Sequence, residues 1–110
     1  MSIWIYLEIE IDTGNKPYTP VLYEDNITHN LTGMWDEAGI YDCIYKKENE
    51  TAGSILPTLK QGFAAMQSNP SKYRALEINN WGTYEDAMTF LENLIQACED
   101  YPKAIIRVAK

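Results

Sequence analysis

The sequence is poor in the residues that carry most catalytic and metal chemistry: its 110 positions hold one histidine, His29, and two cysteines, Cys43 and Cys98. A lone imidazole without an H-x-x-x-H or H-x-E partner argues against a zinc site. The cysteines lie far apart, each in an apolar helical context and without C-x-x-C spacing, which fits reduced core thiols better than a disulfide, a redox pair or metal ligands. No glycine-rich phosphate loop and no nucleophile elbow is present, so no cofactor is expected. No stretch approaches the roughly 20 apolar residues of a membrane span. The start "MSIWIYLEIEIDTG" lacks the basic n-region and small-residue cleavage site of a secretory leader, and a cytoplasmic protein is expected. The glycosylation triplets at Asn26, Asn30 and Asn49 would then go unused.

Basic residues are scarce as well. Nine lysines and arginines face sixteen aspartates and glutamates, a net charge of −7. The imbalance is local: residues 1–45 carry eight acids against Lys16 alone, and residues 46–110 carry eight of each sign. The first part of the chain would repel a nucleic-acid duplex and favours a basic partner or none.

What is present makes a single domain, 1–110, with 45% apolar and 12% aromatic residues. That is enough for a core. Ile3, Ile5, Leu7, Ile9 and Ile11 alternate with Trp4, Tyr6, Glu8 and Glu10, the period-two pattern of a half-buried strand over 3–11. "DTGNKPYTP" is dense in turn formers, and "VLYE" reads either as a short return strand or as extended chain. From about Asn26 the spacing Ile27, Leu31, Met34, Trp35, Ala38 predicts a helix capped by Asp25 or Asn26. Gly39 and Ile40 then fit the end of a Schellman motif. Thr51 or Ser54 opens another helix, and the choice of Ser54 puts Pro57 in a tolerant first turn. Asn69-Pro70 starts a short helix through Leu76. Thr83 and Asp86 form a variant capping box ahead of the stripe Ala87, Leu91, Leu94, Ile95, Cys98. "AIIRVA" is a closing strand. The order implies an α+β fold, a small sheet formed by the N- and C-terminal strands and covered on one face by three to five helices. Its uncovered face would carry Trp4 and Tyr6 beside Glu8 and Glu10, a surface suited to homodimerisation.

Two polar clusters stand out, both at expected helix starts. Asn26, Thr28, His29 and Asn30 crowd donors and acceptors into about one helical turn. In the plain alternative, Asn26 caps, Thr28 and Asn30 are solvated, and His29 bonds a carbonyl. Asn79, Asn80, Trp81, Gly82, Thr83 and Tyr84 place two amides beside an indole, able to stack on and bond a planar ligand. The alternative makes Trp81 a core plug whose amide neighbours tie down a loop. Brought together, the clusters would form one pocket. An anionic ligand there would need Lys72, Arg74 or Arg107, and a pocket without any of these would exclude a nucleotide.

The segments "NITHNL", "MWDEAGIYD" and "NNWGTYE" resemble those of a family of small, uncharacterised proteins of bacteriophages and bacterial genomes, over most of the chain from Asn26 onward. The resemblance transfers no activity. It implies a phage or bacterial cytoplasmic setting, and by analogy a counter-defence role. It singles out Asn26, Thr28, His29, Asn30, Asn80, Trp81, Gly82, Tyr84 and Glu85. Asn79-Asn80 replaces the family's Asn-Gly before Trp81, which would alter that turn.

These readings lead to a non-catalytic binding protein with a polar pocket for a small ligand, a nucleotide-like one included. One competitor is an acidic inhibitor docking on a basic host protein through Glu8, Glu10, Glu24, Asp25 and Asp36. The other is a small hydrolase or lyase using His29 as general base.

Overall fold

In the computed structural model, which describes residues 2–78 and 81–110, three strands form one antiparallel sheet accompanied by five α-helices. Strand β1 (Ser2–Glu8) is central, flanked by β2 (Val21–Thr28) and β3 (Ile105–Ala109). The chain's first and last strands thus lie side by side, as the terminal apolar runs require. Alternation along β1 buries Ile3, Ile5 and Leu7 on one face, where Ile3 meets Ile27, Ile5 meets Val108 and Leu7 meets Ile106. Trp4 and Tyr6 point the other way, their rings stacked 6.2 Å apart. The expected strand over 3–11 is interrupted by a bulge between Leu7 and Glu8. Pairing resumes beyond it, with Ile11 and Tyr18 exchanging backbone bonds of 2.7 and 2.9 Å, so "VLYE" belongs to a return strand.

The helices are α1 (Thr32–Glu37), α2 (Tyr41–Tyr45), α3 (Ala52–Ser68), α4 (Pro70–Arg74) and α5 (Tyr84–Asp100). The two long ones, α3 and α5, pack together, and their stripes Ile55, Leu59, Met66 and Ala87, Leu91, Leu94 join the buried face of the sheet in one core. This is an α+β fold. Among the described residues no helix is long and apolar enough to cross a membrane.

Local signals set the helix ends. Gly39, at φ +76°, takes the left-handed position after α1. Ile40 N–H reaches the Trp35 carbonyl at 2.9 Å and Gly39 N–H that of Asp36 at 3.1 Å, the two bonds of a Schellman motif. At α5, Thr83 Oγ1 accepts from Asp86 N–H at 3.1 Å, and Asp86 Oδ2 accepts from Thr83 N–H at 3.2 Å. Asp therefore closes this capping box as Glu usually does.

One boundary differs from expectation, for a tertiary reason. No helix begins at Asn26: the chain stays extended to Thr28, because Asn26, Ile27 and Thr28 pair with Trp4, Ile3 and Ser2. A 3-10 turn, His29–Leu31, follows, capped by Thr28 rather than by Asp25 or Asn26. Of the two starts expected for α3 the structure takes Thr51, the N-cap of a helix that begins at Ala52, so Pro57 falls past the first turn. The Ala52 and Gly53 N–H groups, orphans of a first turn, find the carbonyls of Ala104 and Pro102, each at 2.8 Å.

Both cysteines are buried free thiols. Burial pushes the Cys98 thiol up from its ordinary value near 9 to about 12, and the Tyr45 phenol up to about 12. The folded state therefore holds these protons more tightly than the unfolded chain, and the stability they contribute, complete below about pH 9, is lost as pH climbs toward 12. Melting temperature should fall steadily between about pH 9 and about pH 11, and Cys98→Ala should flatten that slope. Circular-dichroism melts across the range check it; a flat profile in the parent protein would contradict the buried-thiol account.

Candidate functional site

At the far end of β2 the sheet meets the turn that leads into α5. Gly82, at φ +110°, turns the chain so tightly against β2 that a Cβ there would lie 2.6 Å from Thr28 Cγ2. Asn30 ties the same junction, its Nδ2 donating to the Trp81 carbonyl at 3.0 Å. The two polar segments, 51 residues apart in sequence at this bond, are therefore in contact. Between them opens a cleft of about 510 Å³ lined by Ser2, Asn26, Ile27, Thr28, Trp81, Gly82 and Asp86. A second depression of about 300 Å³ continues from it along β2 and α5, lined by Asp25, Asn26, Ile27, Asp86, Thr89, Phe90 and Asn93. Trp81 is 75% exposed, which excludes a core plug.

The expected ligand-binding residues divide here. Asn26, Thr28 and Trp81 line the cleft; Asn30 braces it. Asn79 and Asn80 lie outside the described residues. His29 lies off the cleft lining: its Nδ1 is 2.8 Å from the Tyr45 hydroxyl, and its ring packs on Tyr45, which stacks on Tyr41 at 4.5 Å. The reason is the extended backbone at Thr28, which sends consecutive side chains to opposite sides, where a helix would have grouped them. Tyr84 is buried between α3 and α5, its hydroxyl donating to the Met66 carbonyl at 2.7 Å. It anchors the helix pair rather than a ligand.

The three cations available for an anion are engaged elsewhere. Lys72 Nζ meets Glu37 at 2.7 Å, Arg74 meets Glu85 at 2.9 Å, and Arg107 meets Glu8 at 2.8 Å, each carboxylate raising its partner's pKa through the hydrogen bond. None lines the cleft or its extension, whose charged residues are Asp25 and Asp86. Desolvating a phosphate against two carboxylates with no countercharge among the described residues is unfavourable. The acidity of this junction was visible in the sequence at Glu24 and Asp25; the addition of Asp86 was not, because it arrives through α5.

Of the residues expected at an interface, Trp4, Tyr6 and Glu8 sit on the uncovered sheet face, whereas Glu10 lies exposed beyond the end of β1. Trp4 is 39% exposed, Tyr6 half-buried beside it, and Glu8 is taken by Arg107. Among the described residues no group of three or more histidine, cysteine or carboxylate side chains is placed to hold a metal ion. Fold and site together define an α+β domain with an open, acidic cleft at a sheet edge. Compared with protein-family models, curated proteins and solved structures, the chain has no match.

Proposed function

We propose that this chain is a non-catalytic binding protein, and that the cleft between the end of β2 and the Trp81–Gly82 turn recognises a polar ligand that is neutral or positively charged. The observation that carries this reading is the lining itself: an exposed indole beside Asn26 and Thr28, with Asp86 and Asp25 and, among the described residues, no lysine or arginine. An aromatic face and carboxylates suit a cation; the same set disfavours a nucleotide. Catalysis by His29 in the cleft is disfavoured because its ring lies off the cleft lining, against Tyr45. In a phage or bacterial cytoplasm, counter-defence by such a protein would work through sequestration rather than turnover. The competing reading, an acidic inhibitor of a basic host protein, draws on the same carboxylates and differs in the size of what binds.

A thermal-shift and calorimetry panel of nucleotides, neutral amides and small cations such as spermidine and free arginine tests the proposal. A ligand at about 100 times its dissociation constant should stabilise the fold by about 2.7 kcal/mol. Trp81→Ala should abolish the shift, and His29→Ala should leave it intact. A shift by nucleotides alone, or one that survives Trp81→Ala, would refute this assignment.

A further inference from the structure

The two edges of the sheet are not alike. On β3 the outer edge is covered by residues 48–52: Ile106 exchanges backbone bonds with Asn49 and Glu50, Ala104 accepts from Ala52, and Val108 N–H donates to the Glu48 carboxylate. Ile105, Arg107 and Ala109 must then face β1, at Glu8, Tyr6 and Trp4. Because a strand's residues alternate in the direction of their backbone groups, β1 uses Ile3, Ile5 and Leu7 toward β2, at Ile27, Asp25 and Tyr23. Glu24 and Asn26 consequently aim their N–H and C=O groups away from the sheet. No described strand pairs with that edge, and the Asn26 N–H is held by a side chain, Asp25 Oδ1, at 2.8 Å.

We propose that the outward edge of β2, from Glu24 to Thr28, accepts an extended basic segment of a partner protein as a fourth strand of the sheet. This deepens the reading of the cleft as a recognition site and rests on it. The edge is about 16 Å long, enough for a five-residue strand. The cleft and its extension run beside it and share Asn26, Ile27 and Asp86, so alternate side chains of an added strand would drop into them. Those side chains meet Asp25 and Asp86 with no competing cation among the described residues, and one of them reaches Trp81, whose exposed ring can stack on a lysine or arginine. Asp25 acts as a guard. An incoming strand must replace its hold on Asn26 N–H, and a basic side chain alongside compensates the released carboxylate, whereas an apolar or acidic one does not. A second copy of this chain meets the edge less well than a basic segment: two-fold pairings centred on Glu24 or Asp25 set carboxylate opposite carboxylate, and the pairing centred on Asn26 brings no basic side chain from β2 to Asp25 or Asp86.

The probe is an end-blocked heptapeptide of alternating lysine and valine, and its counterpart is the same peptide N-methylated at alternate amides, which keeps the charge and loses the ladder. Titration followed by calorimetry and by amide chemical shifts of residues 24–28 should show the plain peptide binding and the methylated one at least about tenfold weaker, as loss of two or three backbone bonds demands. Glu24→Pro, tolerable on an edge strand because the lost N–H points outward, should remove binding. Should that variant not fold, Glu24→Lys combined with Asp25→Asn, which keeps an oxygen for the Asn26 N–H, should weaken the peptide by at least about tenfold. Equal binding of both peptides would overturn strand addition while leaving the acidic cleft as a recognition site. Failure of both peptides would overturn it too, and the small-cation panel with Trp81→Ala would then decide the cleft separately. Self-association of the protein that Glu24→Pro abolishes would overturn it in favour of a second copy as occupant.

Discussion

Gly82→Val should destabilise the domain by about 2–5 kcal/mol, the sum of a strained backbone and an overfilled contact. At φ +110° an L side chain is strained before it touches anything, and a branched one most of all. The new Cβ would also stand 2.6 Å from Thr28 Cγ2 and 3.3 Å from Leu31 Cδ2. Thr28 cannot swing aside cheaply. It is β-branched, it ends β2, and its hydroxyl caps the 3-10 turn by accepting from Asn30 N–H at 3.3 Å. Relief must come from moving the Trp81 turn off β2, which breaks the Asn30 bond to Trp81 and opens the cleft. The variant should therefore lose ligand response along with stability. Urea unfolding measures the first and calorimetry the second; a variant within about 0.5 kcal/mol of the parent would show that the turn does not press on β2.

Trp35→Ala should cost about 3–5 kcal/mol, close to the whole stability of a marginal domain of this size. The side chain is fully buried and packs against Phe90 with ring centroids 6.0 Å apart, so its loss leaves a large hole beneath the sheet. Trp35→Phe separates two contributions. Among the described residues the buried indole Nε1 has no hydrogen-bond partner, and an unsatisfied buried donor costs about 1–3 kcal/mol. Phenylalanine keeps most of the ring and removes the donor, so its cost should fall below about 2 kcal/mol. Equilibrium denaturation of the pair decides the matter. Equal losses in the two variants would mean that the indole N–H is satisfied and that the ring's full volume is what the core needs.

Much of the local structure can be read directly from the chain. Alternation from Ile3 to Leu7 announces β1, Gly39 followed by Ile40 ends α1, and Thr83 with Asp86 starts α5, each through a short-range preference that packing only confirms. The junction around Asn26 is the opposite case. Ile27 satisfies two periods at once: it stands four residues before Leu31, as on a helix face, and it can also face Ile3 across a ladder. Nothing nearby chooses between them. The choice falls to β1, whose backbone groups need a partner on that side, and it moves the helix start from Asn26 to the turn after Thr28.

The site shows the same division. Its ingredients were visible as two polar segments, and the acidity of the first forty-five residues already disfavoured an anionic partner. What each side chain does was not visible. His29 looked like a neighbour of Asn26 and Asn30, yet one step along extended chain carries it off the cleft lining to Tyr45. Lys72 and Arg74 looked available, and carboxylates from α1 and α5 neutralise them. The sequence by itself determined the class of fold, the sign of the charge and the ends of most helices, because periodicity and capping act over a few residues. Only the tertiary structure decided that β2 has an open edge, that Asp86 joins Asp25 beside it and that Trp81 stays exposed, because each depends on which distant element packs alongside.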